Sequence, residues 1–120
     1  MVGSFLNISS LASYLIDSAR PVTLLCSGWK NKFNLEDTLF AGALASRLSE
    51  KGLFALQDGA LASKYLYNQA FENPYKFLNH ASHKQRLADL GLKDDIKYCL
   101  SHDLTNVIPQ LENGQLILKN

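Results

Sequence analysis

The 120-residue chain is short of cysteine, and its two thiols, Cys26 and Cys99, lie far apart. Two cysteines are too few for a disulfide scaffold, and reduced thiols point to the cytoplasm. An excess of either charge is also missing. Twelve basic side chains against eleven acidic ones leave a net charge of +1, with no basic or acidic tail. Nothing in the charge therefore suggests nucleic acid or a membrane surface as a partner. Apolar runs fall far short of a bilayer's thickness. The N-terminus lacks the basic stretch and unbroken apolar segment of a signal peptide. P-loop, Gly-x-Gly-x-x-Gly, Cys-x-x-Cys and His-Glu-x-x-His patterns are absent, as are repeats, low-complexity tracts and linkers. What remains, 47% apolar and 19% charged residues, is ordinary for a soluble globular protein. The length predicts a single domain, residues 1–120, with a core of its own.

Met1 to Leu6 reads as the end of a strand. Ile8, Leu11, Tyr14 and Leu15 have helical spacing, with Asn7 or Ser9 as the cap. Val22 to Cys26 is a nearly continuous apolar run, the pattern of a strand inside a parallel sheet. A helix follows from about Leu35 to Glu50, with Gly52 as its stop. Its residues Leu39, Phe40, Ala41, Ala43, Leu44, Ala45 and Leu48 spread apolar surface most of the way round, which predicts burial. Gly42 and the alanines would allow close packing. Leu53 to Leu56 reads as a further short strand, and Asp58-Gly59 leads into a helix from about Ala60 to Phe71. Pro74 suits the first turn of the next helix. Helical spacing resumes over Lys84 to Leu90 and Leu92 to Leu100, with a break at Gly91. Asn113-Gly114, between Val107–Leu111 and Gln115–Leu118, is a strong hairpin signal, and Pro109 predicts an edge strand. The fold class expected is α/β: a three-layer α/β/α arrangement with a mainly parallel sheet and a C-terminal β-hairpin.

The chemistry concentrates between Cys26 and Leu44. An apolar run, a short basic loop and a helix in that order place the loop at the carboxyl end of a strand, where α/β sheets bind ligands. Free N–H groups near Asn34, with Lys30 and Lys32, favour an anion. Glu36 and Asp37 open the helix and offer hard oxygen ligands to a cation. Together they make a candidate site for a phosphorylated substrate and a divalent metal. A plainer reading stands beside it: acidic first turns complement the helix dipole, and Asn34 with Asp37 resembles a capping box. Lys30 and Lys32 would then be solvated lysines. Trp29 either covers the pocket or caps the core. Cys26 reads as a packed thiol rather than a nucleophile, since no histidine lies near it or Ser27 in sequence. His80 and His83 lack a wider ligand set and read as surface residues. Asp58 is a helix cap or a second acid in the same crevice. Asp94-Asp95 reads as a dipole complement, and His102-Asp103 as a turn.

Cys26, Gly28, Phe33, Asn34, Glu36, Asp37, Ala41, Gly42 and Ala43 together resemble a signature of the 2-phosphosulfolactate phosphatase family. Gly3 to Asn7 is similar to that family's upstream strand-to-helix turn. Gly91-Leu92, Asp94 to Ile96, Cys99 and Val107 to Pro109 are similar to its C-terminal pattern. Ser27 and Asn34 stand where the family usually has alanine and serine. The resemblance implies a magnesium-dependent phosphatase that converts 2-phosphosulfolactate and water to sulfolactate and phosphate, a step toward coenzyme M. With that reaction in view, Glu36 and Asp37 are the expected catalytic groups and Mg2+ ligands, and Asp58, from its place before a helix, is a further candidate ligand. Gly28, Lys30, Lys32 and Asn34 would hold the small anionic phosphate ester. Family members are about twice as long, and their N-terminal Gly-Gly-Glu-Arg and Asn-Gly-Thr elements do not occur here. The chain therefore resembles the C-terminal half alone, inactive by itself if the other half supplies ligands. The alternatives are a non-catalytic half-domain that associates with itself or with an N-terminal half, and a phosphatase of a different small ester.

Overall fold

The computed structural model describes residues 1–50 and 52–119, apart from the side chains of His83 and Lys119. After a single 3-10 turn at Phe5–Asn7 come α1 (Ile8–Ser18), α2 (Leu35–Ser49), α3 (Asp58–Ala70) and the short α4 (Pro74–Phe77). A second 3-10 turn, Leu78–His80, leads to α5 (Ser82–Asp89) and α6 (Lys93–Cys99), then β1 (Ile108–Glu112) and β2 (Gln115–Lys119).

The expected three-layer α/β/α fold is overturned. Helix makes up 54% of the structure, and the sheet among the described residues is the antiparallel pair β1–β2. Pro21 to Cys26 and Leu53 to Leu56 carry strand-like sequence yet join no ladder. A buried parallel strand needs hydrogen-bonded neighbours and cover on both faces. No described segment supplies either to these stretches. The hairpin does form. Ile108 pairs with Lys119 and Glu112 with Gln115. Asn113 and Gly114 take φ of 49° and 78°, the two left-handed residues that such a reversal requires.

α2 is the centre of the molecule. Thr38, Leu39, Ala41, Gly42, Ala43, Leu44, Ala45 and Leu48 are all buried, so the all-round apolar pattern marks a core helix. Phe5, Ile8 and Leu11 from one side and Tyr67, Ala70, Leu78 and Ile108 from others complete the cluster around it. α3 lies closest at Gly42. A Cβ there would overlap the Ser63 carbonyl and sit 2.9 Å from the Tyr67 Cβ.

The helix ends are settled partly by distant residues. Asn34 caps α2, its Oδ1 accepting from the Glu36 N–H at 3.2 Å. Asn73 does the same for α4, where Pro74 stands in the first turn. Asn7 precedes α1, but its side chain turns away, accepting from Ser4 N and donating to the Val107 carbonyl at 2.9 Å. The cap comes instead from Asp103, which accepts from Ser9 N at 2.8 Å and Ser9 Oγ at 2.7 Å. Arg47 donates to the same Oγ at 2.7 Å.

Burial alone would raise the Asp103 pKa. The two Ser9 hydrogen bonds and the nearby Arg47 and His102 charges outweigh it, and the carboxyl is held below its usual 3.8. A carboxylate depressed on folding stabilises the native state above its unfolded pKa and loses that contribution as pH falls through the native value. Asp103→Ala is therefore expected to cost about 1 kcal/mol at pH 7, as cap losses do. In urea titrations at both ends of the pH range, the gap from the parent should narrow below about pH 4. A gap that stays constant down to pH 2 would contradict this.

Candidate functional site

Residues 27–34 form a clasped loop. Trp29 and Lys32 exchange backbone hydrogen bonds at 3.2 and 3.0 Å. Lys30 and Asn31 between them take φ of 50° and 58°, again a reversal with both central residues left-handed. Gly28, at φ 66°, precedes it, and a Cβ there would strike the Lys32 carbonyl oxygen. Asp37 fastens this loop to α2. Its Oδ2 accepts from the Gly28 N–H at 2.7 Å and from Ser27 Oγ at 3.4 Å. The carboxylate expected to close a capping box with Asn34 thus reaches back to the loop instead. Trp29 is half exposed. The Arg86 guanidinium lies 4.2 Å from its ring centroid, a cation–π contact that pins the loop to α5.

Beside the loop lies a cavity of about 890 Å³. Residues 1–5 form one wall and residues 20–27 another, while Phe40, Ala41 and Leu44 of α2 and Ile96 and Cys99 of α6 complete the lining. Glu36 and Asp37 both border it, and so does Asp95. Arg20 is the basic side chain on the same lining. The structure thus gathers Glu36, Asp37, Ser27 and Cys26 around one space. Gly28, Lys30, Lys32 and Asn34 lie off the lining: the lysines are exposed on the loop, and Asn34 is buried as the α2 cap. Asp58 is the exposed first residue of α3, away from the cavity, and Gln57 is the cap there. His83, the second member of the His80–His83 pair, has its side chain outside the described residues.

Sequence reasoning passed over Asp95 and Arg20. Asp94 pairs outward with Lys97 at 3.2 Å while its neighbour Asp95 borders the cavity. An adjacent acidic pair at a helix start carries no mark of which member does which.

Cys26 is exposed and ends no strand, which corrects its reading as a packed thiol. Partial burial and then the Asp37 charge push its pKa up. Cys99 is shifted the same way by burial and by Asp95. Both stay protonated at neutral pH, so neither is an activated nucleophile. Because Asp37 is one of the two causes at Cys26, Asp37→Asn should lower that pKa. Alkylation of Cys26 at pH 8, followed in a Cys99→Ser background, is expected to quicken. Unchanged or slower alkylation would place the Asp37 charge elsewhere.

A hard divalent cation suits carboxylate oxygens, and magnesium is commonly held by one or two of them with water and substrate phosphate. Glu36 and Asp37 match that donor chemistry. One Asp37 oxygen is already engaged by the loop, however. Among the described residues, no group of three His, Cys, Asp or Glu side chains is placed to hold a metal. These two residues fit part of a magnesium site and not the whole of one.

A clasped loop and a carboxylate pair at the start of a buried helix thus adjoin one cavity. No helix among the described residues is long and apolar enough to cross a membrane. Residues 1–114 match the description of 2-phosphosulpholactate phosphatase, and the chain belongs to that family. A protein of Thermotoga maritima named probable 2-phosphosulfolactate phosphatase is 38% identical over 99% of this chain and 51% of its own length. One of Caldanaerobacter subterraneus subsp. tengcongensis with the same name is 35% identical over 95% of the chain and 47% of its own. A third, from Synechocystis sp., is 37% identical over 92% and 47%. The chain spans about half the length of the curated relatives it matches.

Proposed function

We propose that this chain is the carboxylate-bearing half of a cytoplasmic phosphatase that hydrolyses 2-phosphosulfolactate, or a similar small acidic phosphate monoester. The observation that carries the reading is the family match over residues 1–114, which takes in Glu36, Asp37 and the clasped loop. In this reading Glu36 and Asp37 are the acidic groups of the site. Asp37 also holds Ser27 and Gly28 against the start of α2, which fixes the loop's distance from the reacting phosphate. Lys30 and Lys32, on the exposed loop, draw the anionic substrate in from solvent rather than contacting it in the cavity. Arg20 is the nearer countercharge. Asp58 has no part in it.

Magnesium is the proposed cofactor, with Glu36 and Asp37 as two of its ligands and the remainder from outside this chain. When bound, such an ion offsets charge on phosphoryl oxygens. Removing it with a chelator should show in a second property besides activity. Manganese, a paramagnetic substitute, should broaden the NMR signals of Ser27, Glu36 and Asp37 in the assembled protein.

A second reading rests on the incomplete ligand set: a half-domain that binds a partner and performs no chemistry. Phosphate release from 2-phosphosulfolactate, with and without magnesium, separates the two. Magnesium-dependent turnover by an assembled protein containing this chain supports the phosphatase. Absence of turnover there supports the binding role.

A further inference from the structure

Within the cavity wall formed by Pro21 to Ser27, residues 21–25 have the burial rhythm of a strand without a strand's partner, and Cys26 and Ser27 beyond them are both exposed. Val22 and Leu24 pack against the core, while Thr23 faces solvent and Leu25 is 92% exposed. Alternation with a period of two is how a strand presents its faces. Yet among the described residues, no backbone–backbone hydrogen bond joins residues 20–27 to the rest of the chain. Edges that face water usually carry charge, proline or a bulge; here Arg20 and Pro21 guard only the start, and residues 22–27 hold neither charge nor proline.

We infer that this edge is a docking site for an extended segment of a polypeptide equivalent to the half of the relatives' length that this chain does not match, whether joined to it or separate. That occupant follows from the proportions: relatives of which the chain covers only 47% and 51% contain as much chain again, and it must lie against something. Charge disfavours a second copy of this chain. The cavity beside the edge is bordered by Glu36, Asp37 and Asp95 against Arg20, and two copies paired here would bring like charges together. The docked segment adds main-chain hydrogen bonds along residues 22–26 and covers Leu25. The pairing is local, and the chain's own fold stays helical. The inference rests on family membership and not on any catalytic activity.

The test mixes the 120-residue chain with the unmatched half of the Thermotoga maritima relative, made as a separate polypeptide. A single-chain fusion of the two serves as a second sample should that half be insoluble. A 1:1 complex is expected by native mass spectrometry. Amide exchange at residues 22–26 should slow at least tenfold in the complex or the folded fusion. Leu25→Lys and Thr23→Pro, at exposed positions, should leave the free chain's melting point within a few degrees and weaken the complex at least tenfold. Three results would overturn the inference: a soluble partner that forms no complex, a folded fusion in which residues 22–26 still exchange as in the free chain, or slowed exchange at 22–26 arising from homodimers alone. Phosphate release is scored separately, so a protected but inactive complex would uphold the docking edge and remove the phosphatase reading.

Discussion

Gly42→Ala is expected to destabilise the chain by about 3 kcal/mol, the upper part of the range for overpacking a core. Alanine is the better helix former by about 1 kcal/mol, so on an open helix the change would help. Here the new Cβ would meet the Ser63 carbonyl and the Tyr67 Cβ. The carbonyl is backbone in the middle of α3, and it cannot swing aside as a side-chain tip would. α2 and α3 must separate, and the core around Leu39, Leu44 and Tyr67 opens with them. Against a typical domain stability of about 5–15 kcal/mol, a loss of that size should lower the urea midpoint by about 1–3 M. Gly59→Ala is the internal comparison. It also lies in a helix, but its Cβ would meet nothing within 4 Å. It should be neutral or stabilising by about 0.5 kcal/mol. A Gly42→Ala protein as stable as its parent would mean that α2 and α3 are not in contact at this point.

Glu36→Gln should reduce magnesium-dependent phosphate release by at least about 100-fold in the assembled protein, the scale on which removing one electrostatic group from a site acts. Asp37→Asn should do the same for a separable reason. Asparagine keeps an oxygen to accept from the Gly28 N–H, so the loop stays clasped while the charge is lost. Asp37→Ala removes both and should add a loosened loop, seen as faster amide exchange at Gly28. The melting points of the first two variants should stay within a few degrees of the parent, since neither side chain belongs to the core cluster. Full activity in both would remove the carboxylate pair from the chemistry.

The helices were legible because their signals are local. The 3.6-residue spacing over Ile8 to Ser18, the apolar girth of α2, the Asn73-Pro74 start of α4 and the Asn113-Gly114 reversal each depend on residues within a few positions of one another. Close packing at Gly42 was legible for the same reason, a lone glycine among alanines on a buried helix. The sheet was misread because an apolar run such as Val22 to Cys26 specifies burial and not a partner. The same residues read alike whether or not a ladder forms beside them. The α1 cap escaped notice because Asp103 lies 94 residues from Ser9, beyond any local pattern. At the candidate site, sequence spacing drew Glu36 and Asp37 together. It could not show that Asp37 reaches back to Gly28, that Asp95 comes round to the same cavity, or that Lys30, Lys32 and Asp58 stay off its lining.

The most direct test of the account is phosphate release from 2-phosphosulfolactate by the 120-residue chain alone and by the same chain assembled with the unmatched half of a relative, each with magnesium and with chelator. The expected result is no turnover from the chain alone and magnesium-dependent turnover from the assembly, abolished by Glu36→Gln. An assembly confirmed by mass that releases no phosphate, or a chain that is equally active by itself, would contradict it.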